Sequence, residues 1–220
     1  MASCCCFTHS AQAHFTEKDA EKDLARYHRH GPDVTTRLLR DALSEARLVS
    51  GAILDIGAGL GLLSLELLDF GAVNTTAIDA SEAFIEAGKR EAARRGKAER
   101  VAFTHGDFVE LAEQLPAASV VVMDRAVCCY PHYQPLLSAA LDHAHQAFAW
   151  SYPRERWFVR LAIAAENAVR RLRSNPFRAF VHPVREMQHL VARAGFELVD
   201  RRQTTMWSIE VYRRLRPNGP

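Results

Sequence analysis

No apolar run in this chain approaches the ~18 residues that a membrane-spanning helix requires. The start of the sequence also lacks the apolar core of a secretory signal. Cysteine is scarce and badly placed for cross-linking: Cys4, Cys5, Cys6, Cys128 and Cys129 are odd in number and fall into two adjacent clusters. That pattern is a poor disulfide framework. Charge of one sign is lacking too, since the formal net charge is only +2, too small by itself to argue for a nucleic-acid or membrane partner. There is no internal repeat, linker or low-complexity tract. The absences lead us to expect a reduced, cytoplasmic protein with no transmembrane segment, leaving peripheral membrane contact open. What is present is ordinary for a globular chain: 220 residues, 48% apolar and 25% charged. Arginines cluster at Arg170, Arg171 and Arg173, at Arg201 and Arg202, and at Arg213 and Arg214. Such runs are more often solvated faces than binding patches.

Residues 1–16 carry no periodicity and read as a mobile arm. Helical patterns follow over 17–29 and 33–47, with Gly31-Pro32 between them. In the second, Val34, Leu38, Ala42 and Ala46 recur every four residues and Asp33 suits the N-cap. From residue 49 onward, short apolar runs alternate with helices. Strands are expected over 52–56, 73–79, 101–105, 120–124 and 148–152. Helices are expected over 60–70, 81–95, around 108–115, and over 133–146. The fourth strand is nearly all apolar, as a strand buried on both faces should be. Strand–helix alternation implies a parallel sheet covered on both sides. In the last third, Trp157, Leu161, Ala165, Ala168 and Leu172 stripe a long helix, and a shorter one covers 186–194. Two final strands, 196–200 and 205–212, form an antiparallel edge hairpin. The expected fold class is therefore α/β: a doubly wound, mostly parallel seven-stranded sheet with helices on both faces. Residues 1–48 would be an N-terminal arm with lid helices, and 49–220 the main domain.

The run Ile53-Leu54-Asp55-Ile56-Gly57-Ala58-Gly59-Leu60-Gly61 takes a buried strand through a glycine-rich turn into a helix. A ligand against that turn must approach the backbone closely, and side chains at Gly57, Gly59 or Gly61 would obstruct it or forbid the dihedrals. The following helix offers unpaired N–H groups, in the crevice where doubly wound sheets bind ligands. Dinucleotide sites favour G-x-G-x-x-G, which seats a pyrophosphate on the helix N-terminus. Here the order is D-x-G-x-G-x-G. Asp55 would be unwelcome beside a pyrophosphate but suits the ammonium of an amino-acid-bearing cofactor, directly or through water. Asp79, 22 residues beyond Gly57 in the sequence, can take both hydroxyls of a ribose or serve as a helix N-terminal acid. Asp107 can likewise cap its own helix.

The segments LDIGAGLG, AIDAS and HGDF, with the closing hairpin, resemble class I S-adenosylmethionine-dependent methyltransferases over residues 50–212. The resemblance implies that Asp55, Gly57, Ala58, Gly59 and Gly61 surround the methionine portion of S-adenosyl-L-methionine. It implies further that Asp79 holds the ribose, Ala80 packs on the adenine, Asp107 bonds the adenine amine and Phe108 lies beside the ring. Asp124 and Arg125 would face the reacting methyl group. VVMDRAVCCYPHY is similar to the fourth-strand segment of magnesium-protoporphyrin O-methyltransferases, which implies a tetrapyrrole carboxylate among small-molecule acceptors.

An amine or hydroxyl acceptor needs a general base, and Tyr130 and His132 lie at the right end of the sheet to act on one. Tyr130 packing over the cofactor, with His132 in solvent, is the competing view. Arg154 and Arg156 can clamp an acidic substrate or open the next helix. Tyr27, in the lid segment, can touch substrate or pack on the sheet edge. Adjacent cysteines seldom share one ion, so no metal site is expected. Two other function classes stay in view. A nucleic-acid (RNA) methyltransferase is suggested by the arginine clusters, although Asp124-Arg125-Ala126-Val127 lacks the Pro-Pro-aromatic grip used on flipped bases. A nicotinamide-dependent oxidoreductase is suggested by the glycine turn.

Overall fold

A computed structural model describes residues 5–215. The elements run α1 (Cys5–His14), α2 (Glu17–His30), α3 (Val34–Glu45), β1 (Ala52–Ile56), α4 (Leu62–Asp69), β2 (Asn74–Asp79), α5 (Glu82–Arg94) and β3 (Val101–His105). They continue with α6 (Phe108–Leu111), β4 (Ala118–Asp124), α7 (Tyr133–His143), β5 (Ala144–Pro153), α8 (Trp157–Leu172), α9 (Val184–Arg193), β6 (Phe196–Gln203) and β7 (Trp207–Arg214). The seven strands form one sheet in the order β3-β2-β1-β4-β5-β7-β6. β1 to β5 are mutually parallel, and β7 runs antiparallel to both β5 and β6. The doubly wound sheet and its closing hairpin are as expected. β7 lies inside the sheet, and β6 makes the edge at this end, opposite β3.

Apolar side chains alternate across the sheet and bury on both faces. Leu54, Val121, Met123, Phe148 and Trp150 pack beneath α7 and α9 through Leu137, Leu141, Met187 and Val191. Ile53, Val120, Val122, Ile209 and Val211 pack beneath α3 and α4 through Leu39, Leu43, Leu65 and Leu67. A smaller cluster of Ala20, Leu60, Phe84 and Ala87 seats α2 on α5. Among the described residues no helix is long and apolar enough to cross a membrane.

Several local expectations are corrected. The described part of the supposed mobile arm is helical from Cys5, while Cys4 lies outside the described residues. On α3 the buried side chains are Thr35, Thr36, Leu39, Ala42 and Leu43, and Val34 is exposed. A strict four-residue spacing drifts about 40° per step around a helix of 3.6 residues per turn, so the core tracks i, i+3, i+4 instead. Asp33 makes no capping bond, because its carboxylate is taken by Arg26 and Arg125. Thr16 and Asp19 form a full capping box on α2 instead. α7 stops at His143 and β5 starts at Ala144, which pairs with Ala118. The stripe on α8 does not enter the core. Trp157, Leu161 and Leu172 are 76%, 62% and 86% exposed, and Val159 is the buried residue of this helix.

Gly88, inside α5, fixes how closely that helix approaches the turn after β1. An added Cβ there would stand 2.7 Å from both the Leu60 carbonyl oxygen and the Phe103 ring. Alanine ordinarily favours a helix interior by about 1 kcal/mol over glycine. Here overpacking against backbone outweighs that gain, so Gly88→Ala is expected to destabilise by about 1–3 kcal/mol in denaturant titration. A variant more stable than its parent would contradict this packing constraint.

Candidate functional site

β1 connects outward to β2 and β3 on one side, while β4 and β5 lie on the other. The carboxyl ends of β1 and β4 therefore flank the point where a doubly wound sheet opens a crevice. A cavity of about 440 Å³ sits there, within the range of small-molecule sites.

Its floor is the turn after β1. Gly57, Gly59 and Gly61 have φ of +68°, +55° and +67°, the left-handed region that glycine enters at no steric cost. The N–H groups of Gly57 and Ala58 both donate to the Ile78 carbonyl, at 2.9 and 3.0 Å, which pins the turn to β2. The three glycines answer to different neighbours. A Cβ on Gly57 would stand 2.5 Å from the Ala126 Cβ, and one on Gly61 2.8 Å from Phe103. At Gly59 the nearest atom is a Phe84 ring carbon at 3.5 Å. Protein packing thus demands glycine at Gly57 and Gly61, whereas at Gly59 only the backbone conformation does. Gly57, Ala58 and Gly59 line the cavity. Asp55 and Gly61 lie behind the turn, and Ser64 donates to the buried Asp55 carboxylate at 2.9 Å. Burial pushes Asp55 up to about 7, with Ser64 opposing and the charges of Asp124 and Asp79 adding to the rise.

Asp79 ends β2 and lines the cavity. One carboxylate oxygen accepts from the Gly59 N–H and the other from the Ser81 N–H, each at 2.8 Å. Burial raises its pKa against those two bonds. Ala80 and Phe108 provide buried apolar wall. Asp107 caps α6 by accepting from Val109 at 2.9 Å, and the Tyr130 hydroxyl donates to the same carboxylate at 3.0 Å. Both readings of Asp107 meet in one residue: it caps its helix and also faces the cavity. Tyr130 is buried, stacked edge-on against Phe7 at 4.6 Å between ring centroids. His132 is exposed on the N-cap of α7 and does not line the cavity.

Asp124 accepts from Thr36 and Ser151 at 2.6 Å each. Arg125 follows it with φ of +56°, held by its N–H donating to Ser151 at 2.8 Å. Its guanidinium reaches Asp33 at 3.0 Å and stands 3.9 Å from Asp124. Arg26 bonds the same Asp33 from α2. Cys128 and Cys129 line the cavity beside them, Sγ to Sγ 3.9 Å. The Cys129 hydrogen bond, then burial, pushes the Cys128 thiol well above its usual range, so it rests as an unreactive thiol. Arg154 bonds the Thr204 carbonyl and Arg156 opens α8; neither lines the cavity.

The roof comes from segments that sequence reasoning passed over. Phe7, Ala11, His14 and Phe15 line it from the supposed arm, joined by Arg170 and Phe177. The four-residue spacing of Phe7, Ala11 and Phe15 was the available signal. Ser81 donates to the Phe15 carbonyl at 2.8 Å, and His14 stacks on Phe177 at 4.4 Å. Burial, then the Arg170 charge, lowers the His14 pKa. Tyr27 touches the cavity too. Its hydroxyl is spent on Glu66 and Arg95, and burial, then the Glu66 bond, pushes its pKa up to about 12.

Residues 53–149 match the family described as Methyltransferase domain. Ribosomal protein L11 methyltransferase of Psychrobacter cryohalolentis is 33% identical over 102 residues, 46% of this chain and 33% of that protein. The same enzyme of Psychrobacter arcticus is 35% identical over 95 residues, 42% of this chain and 31% of that protein. The chain thus spans about a third of the length of these curated relatives. Magnesium protoporphyrin IX methyltransferase from Synechocystis PCC 6803, solved with bound SAH, superposes with a TM-score of 0.70 at 16% identity, covering 93% of this chain and 98% of that one. An O-methyltransferase family protein from Burkholderia thailandensis gives 0.65 at 15% identity, covering 91% and 63%. At such identities the superpositions speak for the fold. With the strand order and the left-handed glycine turn beside them, the matches identify residues 53–149 as an S-adenosylmethionine-dependent methyltransferase domain on the Rossmann-like fold of class I.

Proposed function

We propose that this protein methylates a carboxylate on a small organic molecule, with a tetrapyrrole propionate as the leading specific acceptor. The observation that carries the reading is the convergence of Arg26 and Arg125 on one carboxylate, Asp33, at the cavity wall. Each guanidinium has five N–H donors. Arg26 also meets Asp23 at 3.5 Å and Arg125 stands 3.9 Å from Asp124, yet two guanidiniums carry more N–H donors than these contacts use, which leaves some for an incoming carboxylate. Such an acceptor is already ionised and needs no proton removed. That agrees with Tyr130 being committed to Asp107 and His132 lying away from the cavity.

The cleft fits the cofactor on its own terms. Gly59 lines the cavity with no side chain to intrude on it, Asp79 turns a carboxylate to the cavity, and Ala80 and Phe108 offer apolar wall. S-adenosylmethionine, when bound, supplies an electrophilic methyl on a sulfonium for in-line displacement. In this reading the turn over residues 57–59 seats the methionine portion, with Asp55 behind it attracting the ammonium through Ser64 or water. Gly61 keeps the turn in place. Asp79 takes the ribose hydroxyls, Asp107 the adenine amine, and Asp124 and Arg125 border the transferred methyl. α1 and α2 act as the lid: Phe7, Ala11 and Phe15 exclude water from the reacting pair. A second reading draws on His14. Its ring lines the cavity with a lowered pKa, as a general base for an amine or hydroxyl acceptor requires.

Incubation with methyl-tritiated cofactor and carboxylate acceptors, porphyrins included, decides between the two. A methyl ester releases tritiated methanol in base, and that release is expected. A base-stable product would overturn the carboxylate reading in favour of the His14 one.

Asp79→Ala is expected to weaken S-adenosylhomocysteine binding by about 1–3 kcal/mol in calorimetry, since it removes a charged acceptor. Unchanged affinity would refute the ribose assignment. Arg125→Ala is expected to raise acceptor KM about tenfold or more and leave S-adenosylhomocysteine affinity within about twofold; an unchanged KM counts against the clamp.

Asp55 ties pH to stability. Its folded pKa of about 7 lies above the ordinary 3.8, so the stability it contributes is complete below about pH 4. That contribution is lost as pH rises through about 7. Asp55→Asn escapes the loss. Its stability relative to the parent should therefore climb between pH 4 and 7 and level off above. A difference that stays flat across this window in parallel denaturation curves would show that the carboxyl is not shifted.

A further inference from the structure

Four of the ten exposed large hydrophobic side chains among the described residues belong to one helix, α8: Trp157, Leu161, Val169 and Leu172. At 100° per residue, Trp157, Leu161, Ala165, Ala168 and Leu172 fall within an arc of about 80°, a stripe running about 22 Å along the axis. Arg160 and Arg171 lie along one border of that stripe, and Arg156 and Arg173 stand at its ends. Arg160 pairs with Glu155. Among the described residues, Arg156, Arg171 and Arg173 pair with no carboxylate. The opposite face is already employed, with Val159 buried and Ile163, Glu166 and Arg170 lining the cavity.

We infer that α8 is an interfacial helix that docks this protein on an anionic lipid surface. Trp157, Leu161 and Leu172 would enter the headgroup–acyl boundary, and the arginines would meet lipid phosphates. A contiguous apolar patch on water is a cost that a monomer ordinarily avoids. An apolar stripe carrying Trp and Leu, flanked by arginines of which Arg156, Arg171 and Arg173 are unpaired among the described residues, is the arrangement that lies in a bilayer interface. Charge favours lipid over a second copy of the chain. In a two-fold pair the patch meets itself, so the borders would bring arginine to arginine with no acidic row to answer it. Docking on this face also sets the cavity, on the other side of the same helix, beside the bilayer. That placement suits an amphiphilic acceptor, although the docking does not depend on which acceptor is used.

The full chain is sedimented with vesicles of phosphatidylcholine alone and of phosphatidylcholine mixed with phosphatidylglycerol. Pelleting is expected with the anionic vesicles, weakening as salt is raised. The double variant Leu161→Asp, Leu172→Asp should bind them about tenfold or more weakly. Its circular dichroism and S-adenosylhomocysteine affinity should match the parent, since neither residue lines the cavity. Arg171→Glu should weaken binding to anionic vesicles as well. The inference is overturned if the parent pellets with neither vesicle, or if the double variant pellets as the parent does. Light scattering that finds a dimer dissociated by the double variant would assign the stripe to self-association and overturn it too.

Discussion

Asp79 is the clasp on which the site depends. Its two oxygens take the N–H of Gly59 from the turn after β1 and the N–H of Ser81 from the start of α5. Two loops that leave neighbouring strands are thereby held at a fixed separation, and the cavity lies over the join. The clasp works only because the turn is left-handed at three glycines, which swings the Gly59 N–H toward β2. Gly57 pressed on Ala126 and Gly61 on Phe103 leave the turn no room to relax. Burial raises the Asp79 pKa, and the two backbone donors, with the His105 charge, oppose that rise. A site built this way is rigid before any ligand arrives, which is where binding energy is best conserved.

The opposite wall is held by a different device. Asp124 has no backbone clasp; Thr36 from α3 and Ser151 from β5 bond its two oxygens. Ser151 also accepts from the N–H of Arg125, which sits at a positive φ that a bulky residue adopts only when its surroundings over-determine it. The strain aims the Arg125 guanidinium at Asp33 and the cavity. α2 is tied down separately: His28 to Glu91, Tyr27 to Glu66 and Arg95, and Arg26 to Asp33. Glu91 and Glu66 are buried, so these bonds also satisfy carboxylates that would otherwise be stranded. Together they fix where a helix with few buried side chains comes to rest.

The sheet was legible because parallel strands buried on both faces leave near-continuous apolar runs, and 120–124 and 148–152 are such runs. The turn was legible because D-x-G-x-G-x-G has few structural uses. What escaped is instructive in each case. Gly88 looks like a poor helix residue until the Leu60 carbonyl is seen against it. Glu210 alternates with Ile209 and Val211 as if facing water, yet it is fully buried. β7 lies inside the sheet, and Trp150, Gln188, Arg201 and Tyr212 all donate to that one carboxylate. The stripe on α8 has the periodicity of a core face, and periodicity cannot say which side of a helix the rest of the chain will cover.

The division between what was read and what was missed follows the division of labour in the cavity. The turn, Asp79, Ala80, Asp107, Phe108, Asp124 and Arg125 fall inside residues 53–149, the span matched to the methyltransferase domain family. Arg26, Asp33, Arg170, Phe177, Met206 and Trp207 fall outside it, and they line the same cavity. A nucleoside bearing an amino acid presents the same atoms to every protein that binds it, so its half of the cavity is held to few solutions and leaves a motif. On the proposed reading the acceptor half is assembled from α1 and α2, α8 and the loop before β7, none of which the sheet requires for closure. The acceptor must therefore be sought in the side chains that the fold itself does not need, above all the two arginines sharing Asp33.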